Sequence, residues 1–516
     1  MNFSLLGLFV FVNQCVSYKI LAVFPYNGRS HHNLFSTLVE ELALRDHSVT
    51  VVNYFPMKNI SKLRQIPLEY KVSGSDVVDI DDTLKNLPGI LVNFHKALDT
   101  ARAFKNLANS NCNKLMSNKE IQGIISSKTK FDLVIVEQFV TDCGLAVAFK
   151  LNAPIVGITA HILMPWTYSR LGALNHPAYV PNHFIGSGTK PGFWDKIQSA
   201  LINIAFNIYF KYVIQKSDQM IINSVFEDVP DLDEIGKNIS LILLNQYFPL
   251  TGSRLYGANV IEVGGLHIKE NTTIDDEEIK SFIDKAESDV IYISFGTVAS
   301  NFPDRIIKEI INFITKSSVK VLWKIDNVGN LNLPKNVLIR KWFPQTAVLC
   351  HPKVKAFITH SGMLSSIEAM HCGVPVISVP LFGDQFANAA AATEIGLGVT
   401  IDVSTMNERK INQALKTVMQ DSYQIRAQNL SALWRDRPVS PLNLAIFWIE
   451  YVIRHKGNVE LRPPTVDLGF YELLMLDVCG MAIGILISFC LFFSIIISLI
   501  RFIRRRHINP NKTKTQ

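Results

Sequence analysis

The sequence predicts an α/β protein with two Rossmann-like domains and one C-terminal transmembrane helix. Three observations carry this expectation: strand-then-helix patterning that runs through the chain twice, continuous apolar strands that end in polar or Gly-containing loops, and one charge-free stretch near the C-terminus. At 516 residues the chain is too long for a single hydrophobic core. Its apolar share of 48% owes much to the two ends.

Residues 1–17 have the shape of a secretory signal peptide: an apolar run from Leu5 to Val12, then the small or modest residues Cys15, Val16 and Ser17. Residues 478–500 carry no charge and are long enough to span a bilayer as a helix. Arg501, Arg504, Arg505 and Arg506 follow at once, so the tail is expected on the cytosolic side and the body in the lumen. Lys512 and Lys514 stand fifth and third from the end, as in dilysine retrieval signals, which points to the endoplasmic reticulum membrane. Membrane lipid is thereby an expected partner.

The first domain opens with the strand of residues 19–24. Residues 25–32, PYNGRSHH, read as its exit loop. Leu34, Phe35, Leu38, Val39 and Leu42 then recur at helical spacing, and residues 49–53 form the next strand. Residues 132–136, DLVIV, are a buried parallel strand, with 137–142 as the exit loop and a helix from Cys143. A further strand begins at residues 154–158. The apolar helical stretch 197–214 reads as domain core or acceptor-pocket wall, with a membrane-facing surface as the alternative. A domain boundary is expected near 252–266, after which the pattern restarts. Strands are expected at 290–297, around VKVLWKI, at 354–359 and at 374–380, with helices at 306–314, after Gly362 and from Gln385. The expected organisation is 1–17 signal, 18–251 first domain, 252–445 second domain, 446–477 return and juxtamembrane segment, 478–500 span and 501–516 basic tail.

Of seven cysteines, only Cys112, Cys143, Cys350 and Cys372 belong to the body, too few for a disulfide scaffold and without metal-ligand spacing. No metal is expected. Asn59, Asn238, Asn271 and Asn429 head glycosylation sequons. The net charge of +7 is partly the arginine tail; with no basic stripe bearing interleaved aromatics, nucleic acid is not an expected partner. The absence of GxGxxG argues against a nicotinamide cofactor.

The most informative stretch is 342–392, WFPQTAVLCHPKVKAFITHSGMLSSIEAMHCGVPVISVPLFGDQFANAAAA. It resembles the signature of the UDP-glycosyltransferases of the glucuronosyltransferase type, most closely their invertebrate branch, and the resemblance extends over nearly the whole chain. It implies two Rossmann-like domains facing across a cleft (GT-B type), with the acceptor on the first and a UDP-sugar on the second. It also admits a homo-oligomer. His360, Ser361 and Gly362 lie where a strand meets a helix start, whose free N–H groups suit a diphosphate. In the family the histidine contacts the diphosphate, and the usual glycine after it is Ser361 here. The resemblance implies Glu368 on the ribose hydroxyls, chemistry suited to a carboxylate. Trp342 is implied against the uracil, Gln345 on the base or ribose, Thr297 at the diphosphate, and Asp384 with Gln385 on the transferred hexose.

In the first domain the Ser30-His31 pair resembles the family's base-bearing pair, which marks His31 rather than the adjacent His32 as general base; a near-neutral pKa fits that work. The acidic partner is left open between Glu137 and Asp142. Trp166, Tyr168 and Phe184 are candidate acceptor walls. The expected reaction is inverting transfer of a hexose from a UDP-sugar, the co-substrate, to a small lipophilic acceptor such as a phenol, aromatic pigment, steroid or xenobiotic. Resemblance to the invertebrate branch favours UDP-glucose. UDP-glucuronic acid and a non-catalytic lipophile or UDP-sugar binding protein are the alternatives.

Overall fold

The computed structural model describes residues 17–69, 90–270, 272–296, 303–325, 333–457 and 459–508. Residues 1–16 of the expected signal, Thr297, Asn271 and the tail lysines Lys512 and Lys514 lie outside the described residues. Residues 1–463 form one compact unit and 464–516 a second.

The larger unit holds two wholly parallel sheets. The first orders its strands β3-β2-β1-β4-β5-β6-β7, with β1 Lys19–Val23, β2 Ser48–Asn53, β3 Leu63–Pro67, β4 Leu133–Glu137, β5 Ile155–Thr159, β6 Ile239–Leu244 and β7 Val260–Glu262. The second orders them β10-β9-β8-β11-β12-β13, with β8 Val290–Ser294, β9 Lys320–Lys324, β10 Val337–Arg340, β11 Val354–Thr359, β12 Val376–Ser378 and β13 Gly398–Thr400. Each sheet reverses its strand order once, between β1 and β4 and between β8 and β11. Ligands of open α/β sheets bind beyond the carboxyl ends of the strands at such a switch point. Register brings Val23 beside Val136 in the first sheet and Ser294 beside Thr359 in the second.

Both faces of each sheet are covered, which is why β4, β5, β6 and β8 are apolar and buried without alternation. Helix α1 (Arg29–Leu44) buries Leu34, Phe35, Leu38, Val39 and Leu42, the stripe expected from spacing. Helix α2 (Phe193–Tyr209) runs through a π-helical turn, Phe210–Gln215, into a further helix, Lys216–Asn223. The inner side of this long helix places Ile202, Phe206, Phe210 and Ile214 with Trp166 and Phe184 in the domain core. Its outer side leaves Phe193, Trp194, Leu201, Ile204, Ile208 and Tyr212 exposed. In the second half, α3 (Met363–Cys372) follows β11 and α4 (Gln385–Glu394) follows β12. Helix α5 (Pro441–Arg454) returns to the first sheet, packing Ala445, Ile446, Ile449 and Val452 among the residues that α1 buries.

The four body cysteines pair as Cys112–Cys143 and Cys350–Cys372. Asp218 lies close to the first pair, but sulfur atoms joined in a disulfide offer a metal no thiolate. Sequon residues Asn59, Asn238 and Asn429 are exposed. In the second unit, residues Leu476–Arg505 form an apolar helix of 30 residues. At 1.5 Å per residue it reaches about 45 Å, enough for a single transmembrane helix.

Candidate active site

The first switch point carries an acid–base pair. Residues 29–32 were expected in the loop after β1, but Gly28 caps a helix that begins at Arg29, so Ser30 and His31 occupy the first turn of α1. Consecutive side chains on a helix point about 100° apart, and this separates the two histidines. His32 turns to Asn53, 3.4 Å away, and to the Phe55 ring. His31 turns across the sheet, and its Nδ1 lies 2.6 Å from Oε1 of Glu137, the last residue of β4. The two residues therefore stand at the carboxyl ends of the strands that flank the switch. Burial lowers the His31 imidazole to about 3 and raises the Glu137 carboxyl well above the usual range.

Asp142, the other candidate partner, is not brought to His31. Its carboxylate accepts from Arg170 Nη1 at 2.8 Å and Nη2 at 2.5 Å, and from Gln215 Nε2 at 2.9 Å. It belongs to a buried ion pair beneath the β4 exit loop.

Aromatic rings extend away from His31. Tyr26 meets it edge-on at 4.5 Å between centroids, and Phe139 lies at 5.1 Å. Phe104 follows Phe139 at 5.5 Å, and Trp166 and Phe184 lie 6.2 and 6.0 Å from Phe104. Of the expected wall residues, Trp166 and Phe184 thus join this run. Tyr168 packs elsewhere, with Leu163, Ile242 and Leu244.

At the second switch point, His360, Ser361 and Gly362 join β11 to α3, with Gly362 as the helix N-cap. The His360 ring lies so close to Gly296 and Gly362 that a Cβ on either would sit 2.5 or 2.6 Å from its Nε2. A side chain at either position would displace the ring, so the two glycines leave the room it occupies. Burial and the Lys324 ammonium lower His360 to about 4. Ser361 has φ +62°, a left-handed conformation that glycine adopts freely. Among the described residues its buried hydroxyl has no hydrogen-bond partner.

Ser361→Gly should relieve a backbone cost of about 1–2 kcal/mol, partly offset by roughly 0.5–1 kcal/mol of glycine chain entropy. The variant is expected to melt at or slightly above the wild type and to keep at least normal UDP affinity by calorimetry. A large fall in affinity would instead make the hydroxyl a phosphate ligand.

Glu368 on α3 is buried and held on both oxygens: Oε1 accepts from Thr346 at 3.0 Å, Oε2 from Gln345. Gln345 in turn donates to Ser365 at 3.0 Å and accepts from the Tyr292 hydroxyl at 3.2 Å. Trp342 is no core aromatic. It is 52% exposed, with the Lys324 ammonium 4.8 Å and the Arg29 guanidinium 6.0 Å from its ring centre. Arg29 opens α1, so this contact ties the first turn bearing His31 to the second sheet's site. Asp384 caps α4 and accepts from Asn388 at 3.0 Å, while burial raises it to about 6. Gln385 turns its carbonyl to the backbone N–H groups of Leu381 and Phe382, at 2.8 and 3.2 Å, which leaves its amide N–H₂ as the donor.

The profile described as UDP-glucoronosyl and UDP-glucosyl transferase matches residues 19–514 of this chain. The chain belongs to the UDP-glycosyltransferase family. It is 35% identical to UDP-glucosyltransferase 2 of Dactylopius coccus over 92% of this chain and 91% of that one. UDP-glucuronosyltransferase 1A7 of Mus musculus is 31% identical, with 91% and 89% covered. Among solved structures, the glycotransferase of kitacinnamycin superposes with a TM-score of 0.54 at 16% identity, covering 84% of this chain and 99% of that one. That likeness supports the fold: two parallel-sheet domains of the GT-B type. As a UDP-glycosyltransferase the protein is an enzyme that transfers sugar from a UDP-sugar to small acceptors.

Proposed function

We propose that this UDP-glycosyltransferase is an inverting hexosyltransferase that uses UDP-glucose, with His31 as general base. The observation that carries the reading is the 2.6 Å contact between His31 Nδ1 and Glu137. With Nδ1–H donated to the Glu137 carboxylate, Nε2 is a lone pair able to take a proton from an acceptor hydroxyl. The acceptor oxygen attacks the anomeric carbon as the bond to the UDP oxygen breaks, and Glu137 stabilises the imidazolium that forms. The role resembles that of a triad aspartate, served here by a longer side chain.

In this reading Trp342 stacks on the uracil, and Glu368 takes the ribose hydroxyls. His360, Gly362 and the first turn of α3 meet the diphosphate. Asp384 and the free amide of Gln385 hold the hexose. The rings from Tyr26 to Trp166 suit a flat, lipophilic acceptor.

The glucose donor draws on the relative named a UDP-glucosyltransferase. The relatives named UDP-glucuronosyltransferases favour UDP-glucuronic acid as the second reading. The two body disulfides support a lumenal body, with the apolar helix as anchor in the endoplasmic reticulum membrane. Membranes bearing the protein, given UDP-glucose or UDP-glucuronic acid with a panel of phenols and alcohols, should yield hexosides of inverted anomeric configuration from UDP-glucose. Product only from UDP-glucuronic acid would transfer the donor assignment to that sugar. Retained configuration would remove the single-displacement mechanism.

A further inference from the structure

His267 lies outside the residues that the sequence singled out. It follows Gly264-Gly265-Leu266 in the segment leading from β7 of the first sheet to the second half of the unit. The segment is pinned. A Cβ on Gly264 would fall 2.6 Å from the Gln246 backbone, and the Gly264 carbonyl accepts from Arg437 Nη1 at 2.9 Å. Leu266 is buried in the core of the first sheet, whereas Ile268 packs against the core of the second. The imidazole between them is thereby held at the junction of the two halves.

The ring is buried, and neither of its nitrogens has a hydrogen-bond partner among the described residues. Nε2 lies 3.5 Å from Oε1 of Glu368. That is beyond a normal hydrogen bond, and a shift of about half an ångström would make one. A carboxylate can only accept, so in such a bond Nε2 carries the hydrogen. The other bonds to Glu368 come from Thr346 and Gln345, both on the second sheet's side.

We infer that His267 is a positioning residue of the donor site: it donates from the interdomain segment to Glu368 and fixes the rotation of that carboxylate toward the ribose. This rests on the reading of Glu368 as the ribose ligand. A buried polar ring without a partner is costly, and a third donor on Glu368 offsets that cost when the carboxylate is engaged by a diol.

The measurement is the ratio of affinities for UDP and 2′-deoxy-UDP, by calorimetry on the full chain. A hydrogen bond to a charged group corresponds to about tenfold or more, so the wild type should prefer UDP by about that factor. His267→Leu should lower the preference by about threefold or more. His267→Gln, whose amide nitrogen can occupy the place of Nε2, should keep it. Should the leucine variant fail to fold, His267→Asn, polar but too short to reach Glu368, makes the same comparison. Glu368→Ala, which leaves no acceptor, is the control for the underlying reading. Loss of the preference in Glu368→Ala with full preference in His267→Leu or His267→Asn would overturn the role of His267 and leave Glu368 on the ribose. An unchanged preference in Glu368→Ala would take both residues away from the ribose.

Discussion

Replacing His31 with alanine is expected to leave UDP binding intact and to cut turnover on an alcohol acceptor by about 10²–10⁴-fold, the usual worth of general base catalysis. The donor-site candidates belong to the second sheet and its helices, so they do not depend on the imidazole. The proton of the acceptor does. Burial keeps His31 neutral at pH 7, with its value lowered to about 3 rather than near neutrality; a ring so lowered is a weak base alone, so proton transfer relies on Glu137 to stabilise the imidazolium. Glu137→Gln keeps the side-chain length but removes the charge that stabilises the imidazolium. It should therefore also depress turnover while sparing UDP affinity. His32→Ala should change turnover little, because that ring faces Asn53 and Phe55 on the other side of the helix turn. A phenol ionises readily and would mask part of the loss, so the comparison needs an alcohol. Turnover at saturating UDP-sugar, after calorimetry shows that each variant binds UDP, is the test. Near-normal turnover of His31→Ala on an alcohol would end its assignment as base.

Much of this architecture could be read from residue order, for a physical reason. Parallel strands buried on both faces are written as continuous apolar runs, which is why β4, β8 and β11 were recognisable. The β3 edge strand, with Leu63, Arg64 and Gln65 only partly buried or exposed, carries no such run, nor do the three-residue strands β7 and β13. The start of α1 was misplaced because Arg29, Ser30, His31 and His32 bear no apolar period and Gly28 offers no side-chain cap.

The candidate site divides in the same way. The strand-to-helix junctions that carry His360 and Asp384 were legible from the apolar strands before them, and the family resemblance singled out the two residues. Partnerships across long separations were not legible. Glu137 and Asp142 were equivalent on the page of sequence. What separates them is Arg170, 28 residues beyond Asp142 and on another element. The cysteine pairs and the approach of His267 to Glu368 are equally non-local, and a lone histidine after two glycines announces nothing.

That separation leads to the second large effect, on stability. The Asp142 and Arg170 side chains are only 4% and 2% exposed. Beside them Asp218 accepts from Thr141 Oγ1 at 2.8 Å and from the Asp142 N–H at 2.9 Å. Burial raises Asp218 to about 7, the Asp142 charge pushes it the same way, and Arg170 opposes both. Arg170→Met would leave the Asp142 carboxylate in a dry site without its cation, and would also end the approach of the guanidinium to Asp233 and its contact with the Phe210 ring at the π-helical turn. Breaking a buried pair on one side costs about 3–5 kcal/mol, a fall in melting temperature on the order of 10 °C. Asp142→Asn should also destabilise the fold, since a neutral amide cannot match both guanidinium nitrogens. Its turnover per folded molecule should nevertheless stay near normal, whereas Glu137→Gln should melt near the wild type and lose turnover. Melting curves and active-site-normalised rates for the three variants separate a structural pair from a catalytic one. An Asp142→Asn protein that melts normally yet matches the turnover loss of His31→Ala would make Asp142 the partner of the base and return Glu137 to a structural role.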